Sequence, residues 1–281
     1  MIPTEFDYRR AATLDEAISL LSETDGKLLA GGHSLIPLMK LRLSEPGTLI
    51  DIARLPELKG IAQSDGMIEI GAGTTHHEVE TSQLIREQAP VLAECAAEIG
   101  DPQVRHRGTL GGSLAHSDPA ADYPAVMVAL DAEFHIKGSG GWRAARASEF
   151  FQDMFTVDLA PDEVIVKVRI APVKYAAYAK LHQRASHYAI VGVCAALDLD
   201  GGVCRSARLG LTGAGSHAVR MPEAEASLAG KSLTADVIDV AARTASDNAS
   251  DLSSDLHASE DYRRAMVGVF TRRAIEKAAS R

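Results

Sequence analysis

Two glycine-rich segments, about eighty residues apart, constrain the fold and chemistry of this chain more than any other feature. The first is residues 30–34 (AGGHS) and the second is residues 109–113 (TLGGS). Each carries paired glycines and ends in a hydroxyl, so its backbone can approach a phosphate closely and offer it N–H donors. One such segment would be a weak signal, whereas two indicate a diphosphate held from both sides.

The first segment follows a predicted helix and strand. Residues 13–16 (TLDE) match a capping box, in which the Thr13 hydroxyl accepts from the Glu16 N–H and the Glu16 carboxylate reaches back. With the apolar stripe that follows, these residues predict a helix to about Ser22. Residues 27–30 form a short apolar strand that stops at the glycines.

A second helix and strand are predicted after the glycines. Residues 34–41 contain Pro37, which a helix tolerates only in its first turn, and residues 49–52 (LIDI) are a further apolar strand. Residues 1–55 are therefore expected to form a small parallel β-α-β element with the glycine pair at a helix N-terminus. Free N–H groups and the helix dipole together favour an anion at such a position.

The glycine pattern excludes two common nucleotide-binding folds. A Rossmann fingerprint needs G-x-G-x-x-G, and a P-loop needs G-K-[ST] after its second glycine. The nearest match, residues 71–76 (GAGTTH), has His76 in the place of the third glycine. NAD binding by a Rossmann domain and ATP hydrolysis by a P-loop are therefore set aside.

Small residues, two aspartates and two prolines follow the second glycine segment. Residues 114–124 (LAHSDPAADYP) are accordingly predicted to be an ordered loop. Two interpretations of Asp122 stay open. It caps the apolar run at residues 125–130, or it accepts hydrogen bonds from a bound cofactor together with Asp118.

The rest of the chain predicts a second α+β lobe and a separate C-terminal region. In the lobe, strands are expected at residues 67–70, 133–136 and 164–170 and a helix at residues 91–99. The C-terminal pattern is three strands followed by helices, at residues 176–181, 189–199, 203–211, 223–228, 234–246 and 259–279.

Together these segments resemble the FAD-binding medium subunit of molybdenum hydroxylases, of the carbon monoxide dehydrogenase and xanthine dehydrogenase type. The shared motifs, in the family's order, are AGGHS with LIPLMK, LIDI, GAGTTH, RGTLGGSLAH and DPAAD. The resemblance extends to residues 180–184 (KLHQR), 255–259 (DLHAS) and 262–264 (YRR), so it spans nearly the whole chain.

The resemblance implies an α+β fold in three parts. Residues 1–57 and 58–173 would form the two lobes of an FAD-binding domain of the vanillyl-alcohol oxidase (PCMH) type. Residues 174–281 would form a small C-terminal α+β domain with a three-stranded sheet plus helices. A chain of 281 residues with 46% hydrophobic residues is long and apolar enough for two domains.

The implied cofactor is FAD, with its diphosphate and ribityl chain between the two glycine segments. A Cβ on these glycines would force an unfavourable φ or occupy the space of the phosphate. Asp118 and Asp122 are expected on the adenosine or ribityl side. Lys180 is expected near the isoalloxazine and Tyr188 against that ring; the alternatives are a solvated lysine and a tyrosine packed between domains. The implied cofactor-binding residues are Ala30, Gly31, Gly32, His33, Ser34, Leu35, Ile36, Ala72, Thr75, Gly108, Thr109, Gly111, Gly112, Ser113, Ala115, Asp118, Asp122, Lys180 and Tyr188.

No catalytic residue and no metal ligand is expected in this chain. The histidines that invite a metal interpretation have spacings that match no ligand set. They are His33, His76, His77, His106 and His116. Chemistry would then belong to the flavin, with the protein supplying position and electrostatics.

Composition excludes further classes of protein and partner. The formal charge of −9 argues against nucleic-acid binding, and no segment approaches the about 18 consecutive apolar residues of a membrane span. The N-terminus has no secretory pattern and the three cysteines have no metal-ligand spacing, which indicates a reducing cytoplasm. Because a [2Fe–2S] cluster needs about four thiolates, any iron–sulfur centre must lie on another polypeptide.

The resemblance implies an electron-transfer role within a complex. A large molybdopterin subunit would oxidise the substrate and a small [2Fe–2S] subunit would pass electrons to the FAD of this chain, in a dimer of heterotrimers. An external acceptor, which could be a quinone, dioxygen or NAD, would then remove them. Two alternatives stay open: a stand-alone FAD-dependent oxidase or reductase, and an assembly subunit without flavin.

Overall fold

Three larger sheets and a short hairpin organise the chain, and the computed structural model describes residues 2–281. Each larger sheet supports its own cluster of buried apolar side chains. The fold is mixed α+β, with an N-terminal region of two lobes and a C-terminal region of one sheet and its helices. The expected fold class is therefore confirmed.

The first lobe contains a parallel three-stranded sheet. Its elements are β1 (Asp7–Arg10), α1 (Leu14–Glu23), β2 (Gly26–Leu29), α2 (Leu35–Lys40), β3 (Thr48–Asp51) and a 3₁₀ turn (Pro56–Leu58). The predicted parallel pairing of β2 with β3 across α2 is confirmed. β1 adds a strand on the other edge of β3, although its sequence gives no apolar signal because all four of its residues are exposed.

The second lobe surrounds an antiparallel sheet of order β4-β5-β10-β6-β7. Its strands are β4 (Ile61–Ser64), β5 (Met67–Gly71), β6 (Glu133–Gly138), β7 (Gly141–Arg146) and β10 (Val164–Ile170), with β8 (Phe151–Asp153) and β9 (Thr156–Val157) as a separate hairpin. Its helices are α3 (His76–Thr81), α4 (Gln83–Gln88), α5 (Pro90–Ala97), α6 (Pro102–Arg105), α7 (Leu110–His116), α8 (Asp122–Ala129) and α9 (Ala147–Phe150). The buried helix α8 lies at the centre of this lobe's core.

The predicted loop over residues 114–124 is too long, because only residues 117–121 form a loop. Helix α7 runs to His116 and ends at Ser117, which is left-handed with φ 47°, and α8 already begins at Asp122. Every residue of α8 is buried, so its sequence shows no polar face from which a helix could be recognised. Asp122 does not cap α8 either, because Ala121 occupies the N-cap position and no side chain caps this helix.

The C-terminal region begins with three long antiparallel strands, as predicted. Its elements are β11 (Ala176–His182), β12 (Ala189–Asp200), β13 (Val203–Thr212), β14 (Val219–Arg220), α10 (Pro222–Leu228), β15 (Lys231–Ser232), α11 (Ala235–Asn248) and α12 (Glu260–Ala279). The expected three-stranded sheet is in fact five-stranded, because β14 and β15 both pair with β13. Each of these added strands is two residues long, too short to show a period in the sequence.

The C-terminal sheet packs directly on α8. An added Cβ at Gly210 of β13 would overlap the Ala125 carbonyl oxygen and lie 3.0 Å from the Ala125 carbonyl carbon. Arg208 Nε donates to the Ala129 carbonyl at 2.9 Å. The two regions thus share a close interface, with α8 between the sheet of the second lobe and the C-terminal sheet. Nowhere in residues 2–281 does a helix combine the length and apolar character needed to cross a bilayer.

Candidate functional site

The two glycine-rich segments lie side by side in the structure. An added Cβ at Gly31 would overlap the Arg107 carbonyl oxygen and lie 2.8 Å from Gly108 Cα. The backbone after β2 is therefore in van der Waals contact with the backbone that enters Thr109 and α7. Residues about eighty positions apart in sequence form one surface.

A third segment, residues 71–76, joins the second glycine segment by backbone hydrogen bonds. The Gly111 N–H donates to the Ala72 carbonyl at 2.7 Å, and the His76 N–H donates to the Gly108 carbonyl at 3.0 Å. An added Cβ at Gly111 would lie 2.5 Å from Ala72 Cβ. Residues 71–76, which resemble an incomplete Rossmann fingerprint, thus pack against the first turn of α7.

Several backbone N–H groups of this surface are unpaired. Among residues 2–281, no atom accepts a hydrogen bond from the N–H groups of residues 31–35 or of Thr109. Gly32 is left-handed with φ 75°, which lets successive N–H groups turn toward one side. The second segment adds a capped helix start, because Thr109 Oγ1 accepts from the Gly112 N–H at 3.2 Å.

The glycines are needed for reasons that differ from those expected. Of the four glycines in the two segments, only Gly32 has a positive φ that a side chain would strain. At Gly31 and Gly111, a Cβ would meet neighbouring protein backbone or Ala72 rather than an open space that a phosphate could fill. Gly112 lies in the first turn of α7, where only Thr109 Oγ1 is near its added Cβ.

The other residues predicted around the glycine segments lie within or next to the elements that these segments begin. Ala30 packs partly buried against the first-lobe core, and His33 is exposed with its Nδ1 3.1 Å from the Gly31 carbonyl oxygen. Ser34 precedes α2 without capping it, so its hydroxyl is available. The others are Leu35 and Ile36 in the first turn of α2, Thr75 in the capping box of α3, and Ser113 and Ala115, partly buried in α7.

The other four predicted residues lie at the seam between α8 and the C-terminal region. The Asp122 carboxylate accepts from the Tyr178 hydroxyl at 2.6 Å and from Lys180 Nζ at 3.0 Å. Burial raises the pKa of Asp122 to about 6, although the Lys180 ammonium and the Tyr178 hydroxyl oppose this shift. Lys180 is therefore a buried partner in an ion pair rather than a solvated side chain.

Asp118 and Tyr188 face the open side of this seam. Asp118 Oδ1 accepts from the Ala120 N–H at 2.9 Å, and the Tyr188 side chain is exposed. Burial of the hydroxyl raises the pKa of Tyr188, and the carboxylates of Asp118 and Asp122 add to this shift. The Ala189 N–H donates to the Ala120 carbonyl at 3.1 Å and holds the two loops together.

Helix α7 connects the unpaired N–H groups with the seam. It begins after Thr109, beside the glycine surface, and ends at Ser117, one residue before Asp118. Seven helical residues span about 10 Å. An elongated ligand could therefore place an anionic group at the start of α7 and a ring at its end.

Two residues of the site carry no recognisable signal in the sequence. Tyr178 has the appearance of an apolar strand residue, yet it shares one face of β11 with Lys180 because the two are two positions apart. His76 is 5% exposed, and burial, followed by His33 and Arg105, lowers its pKa to about 3. Only the spacing of Tyr178 and Lys180 could have indicated that they act together.

The histidines do not gather around a metal position. His77 and His106 stack, with ring centroids 4.0 Å apart. Over residues 2–281, no group of three or more histidine, cysteine, aspartate or glutamate side chains is arranged to hold a metal ion.

Comparison with known proteins identifies the family. Residues 4–173 match the family described as "FAD binding domain in molybdopterin dehydrogenase", and residues 176–278 match "CO dehydrogenase flavoprotein C-terminal domain". The chain belongs to this family of FAD-binding medium subunits of molybdenum-dependent oxidoreductases, of the carbon monoxide dehydrogenase and xanthine dehydrogenase type.

Individual relatives match over the full length. The carbon monoxide dehydrogenase medium chain of Hydrogenophaga pseudoflava is 37% identical over 286 residues, covering 100% of this chain and 99% of the relative. The 6-hydroxypseudooxynicotine dehydrogenase complex subunit alpha of Paenarthrobacter nicotinovorans is 38% identical, with coverage of 100% and 97%. A solved structure of the Hydrogenophaga pseudoflava carbon monoxide dehydrogenase, which lacks the Mo-pyranopterin moiety, superposes with a TM-score of 0.96 at 38% identity, covering 100% and 99%. The expected cofactor, FAD, is thereby confirmed.

The neutral state of His76 predicts a pH dependence of stability. Its pKa is about 3 in the folded chain and about 6.5 when unfolded, so between these values the unfolded chain binds more protons. The free energy of unfolding should therefore fall as the pH drops from about 6.5 to 3, at up to about 1.4 kcal/mol per pH unit from this residue. Urea unfolding of the parent chain and of His76→Gln, at steps between pH 7 and pH 4.5, measures the difference in slope. Equal slopes in the two proteins would contradict the assignment.

Proposed function

We propose that this chain is the FAD-carrying electron-transfer subunit of a molybdenum hydroxylase. It accepts electrons from a partner [2Fe–2S] subunit and passes them to an external acceptor. The observation that carries the proposal is the surface of unpaired backbone N–H groups where residues 31–35 meet Thr109. Family membership supports FAD as the ligand of this surface.

The unpaired N–H groups match the chemistry of a diphosphate. Phosphate oxygens are anionic acceptors, and hydrogen bonds from N–H groups to charged oxygens are about twice as strong as neutral ones. The donors come from two segments that are locked in place by the contact between Gly31 and residues 107–108. Because this contact fixes the two segments relative to each other, it supports a preformed diphosphate site.

The residues at the far end of α7 suit the flavin end of the cofactor. Tyr188 offers an exposed aromatic face, and Asp118 Oδ2 offers an acceptor for a hydroxyl or a ring N–H. When bound, FAD supplies the two-electron redox chemistry, and these side chains orient it and limit access to it. The other cofactor-binding residues expected from the sequence remain part of this proposal, and we place them around the FAD between the glycine segments and the far end of α7.

The cysteines support a partner as the source of electrons. Cys95, Cys194 and Cys204 are free and buried, on α5, β12 and β13, and burial raises the pKa of each thiol. Three separate, protonated thiols do not supply the about four thiolates of a [2Fe–2S] cluster. We propose that a small [2Fe–2S] subunit and a large molybdopterin subunit complete a dimer of heterotrimers in the cytoplasm, where free thiols are stable.

The domain boundaries remain part of the proposal. Residues 1–57 and 58–173 would be the two lobes of the FAD-binding domain, and residues 174–281 the C-terminal domain. The three buried clusters centre on the first lobe, the second lobe and the C-terminal helices, although Val164 and Val166 of β10 join the first-lobe cluster and Tyr178 of β11 joins that of the second lobe.

Replacing Gly31 tests the diphosphate site. Gly31→Ala forces residues 31–35 away from residues 107–108, so the donors no longer converge. The affinity for FAD, measured by titration of the deflavinated chain, should fall at least about tenfold, a loss of about 1.4 kcal/mol or more. Gly140→Ala is the matched control, because nothing lies within 4 Å of its added Cβ, and it should bind FAD like the parent. Equal FAD affinity in both variants would sink the proposal, provided that circular dichroism shows both to be folded.

Reconstitution with partners tests the electron-transfer role. Co-expression with a large molybdopterin subunit and a small iron–sulfur subunit from the same organism should give a complex that contains molybdenum, iron and about one FAD per copy of this chain. Substrate should bleach the flavin absorbance only in the complex, because this proposal assigns substrate oxidation to the molybdopterin subunit. A stand-alone oxidase predicts the opposite result, in which the FAD-loaded chain alone turns over substrate at the rate of the complex.

A further inference from the structure

The buried ammonium of Lys180 joins three parts of the chain that are distant in sequence. Its Nζ donates to the Glu98 carbonyl at 2.7 Å, to the Asp122 carboxylate at 3.0 Å, and to the His187 carbonyl at 2.7 Å. Glu98 ends α5 and Asp122 begins α8, whereas His187 lies in the loop between β11 and β12. The Lys180 side chain is 1% exposed.

These contacts use the full hydrogen-bonding capacity of the ammonium. A lysine side chain has three donors and no acceptor, and here the carboxylate and the two carbonyls take them all. The Asp122 carboxylate also has a second donor, since the Tyr178 hydroxyl donates to its Oδ1 at 2.6 Å. A buried ion pair is tolerated when its remaining polar atoms are satisfied in this way. The geometry is therefore a defined junction and not an accidental surface contact.

The His187 carbonyl is the point at which this junction acts on Tyr188. His187 is left-handed with φ 62°, an uncommon conformation for a non-glycine residue. The loop closes on itself, because the His187 N–H donates to the Gln183 carbonyl at 2.9 Å and the Gln183 N–H donates to the Tyr188 carbonyl at 2.8 Å. The Lys180 ammonium fastens this closed loop to Asp122 and Glu98, beside the Ala189 N–H that donates to the Ala120 carbonyl.

We propose that Lys180 is a positioning residue: by binding the His187 carbonyl, it fixes residues 183–188 against α5 and α8 and so sets the place of Tyr188 in the seam. Without the ammonium, the carbonyls of Glu98 and His187 lose the shared donor that joins them to Asp122. The loop would then move away from the seam. The link from Tyr188 to the flavin rests on the proposed function, whereas the fixing of the loop does not.

A pair of variants separates positioning from stability. Lys180→Met leaves the Asp122 carboxyl buried without its partner, so this group must either bind a proton or stay an unpaired charge, and both lower the midpoint of thermal unfolding. Adding Asp122→Asn removes that charge and should restore much of the midpoint, but it cannot restore the bond to the His187 carbonyl. Lys231→Met is the control, since Lys231 is an exposed residue of β15. A merely structural role predicts that the loop recovers together with the midpoint.

Hydrogen exchange of the full chain measures the local opening of residues 183–188 directly. In Lys180→Met and in the double variant, the amides of His187 and Ala189 should exchange at least about tenfold faster than in the parent or in Lys231→Met, because local opening lowers protection. Unchanged protection in Lys180→Met would overturn the proposal. Protection regained in the double variant would overturn it too.

Flavin accessibility in the assembled complex tests the link between the position of Tyr188 and the flavin. Once FAD content shows that the cofactor is bound, the acrylamide quenching constant of flavin fluorescence should rise at least about twofold in the double variant, because Tyr188 no longer shields the ring. A loosened loop with an unchanged quenching constant would refute the placement of Tyr188 at the flavin. Loss of FAD itself would instead count against the proposed function, so the two failures are distinguishable.

Discussion

The close approach of backbone to backbone between Gly31 and residues 107–108 is the constraint on which the site depends. It is possible only because Gly31 has no side chain, and it is reinforced where Gly111 lies against Ala72. Although the segments are in contact, the N–H groups of residues 31–35 and of Thr109 form no hydrogen bond within residues 2–281. An anion is the natural partner for such a set, so the packing of the lobes and the binding of the cofactor are one feature.

Helix α7 links that contact to the C-terminal region. Its start belongs to the glycine surface and its end to the loop that contains Asp118. From there, Thr212 Oγ1 donates to the carbonyls of Pro119 and Ala121, and Lys180 pairs with Asp122. The first end of the site is thus built by main-chain atoms and the second by side chains from both regions. This division suits a ligand with an anionic middle and an aromatic end.

Much of the fold follows from local sequence pattern, and the departures have physical causes. Strands with clear apolar runs, such as β10, β12 and β13, lie where the sequence predicts them. β1 is wholly exposed and α8 is wholly buried, so neither shows the one-sided pattern that reveals an element.

The site follows the same division. Motif resemblance identifies the glycine segments, but the reason for Gly31 lies in a contact across about eighty residues of sequence. The ion pair of Lys180 is likewise a tertiary feature, because its partners come from three separate segments. No local pattern could distinguish it from a solvated lysine.

The structure of the FAD-loaded chain is the most direct test of the central claim. The account predicts that the diphosphate oxygens lie about 2.7–3.2 Å from the backbone nitrogens of residues 31–34 and of Thr109. It also predicts that the flavin ring lies at the far end of α7, beside Tyr188. A diphosphate bound elsewhere, with these N–H groups still facing solvent, would contradict the account.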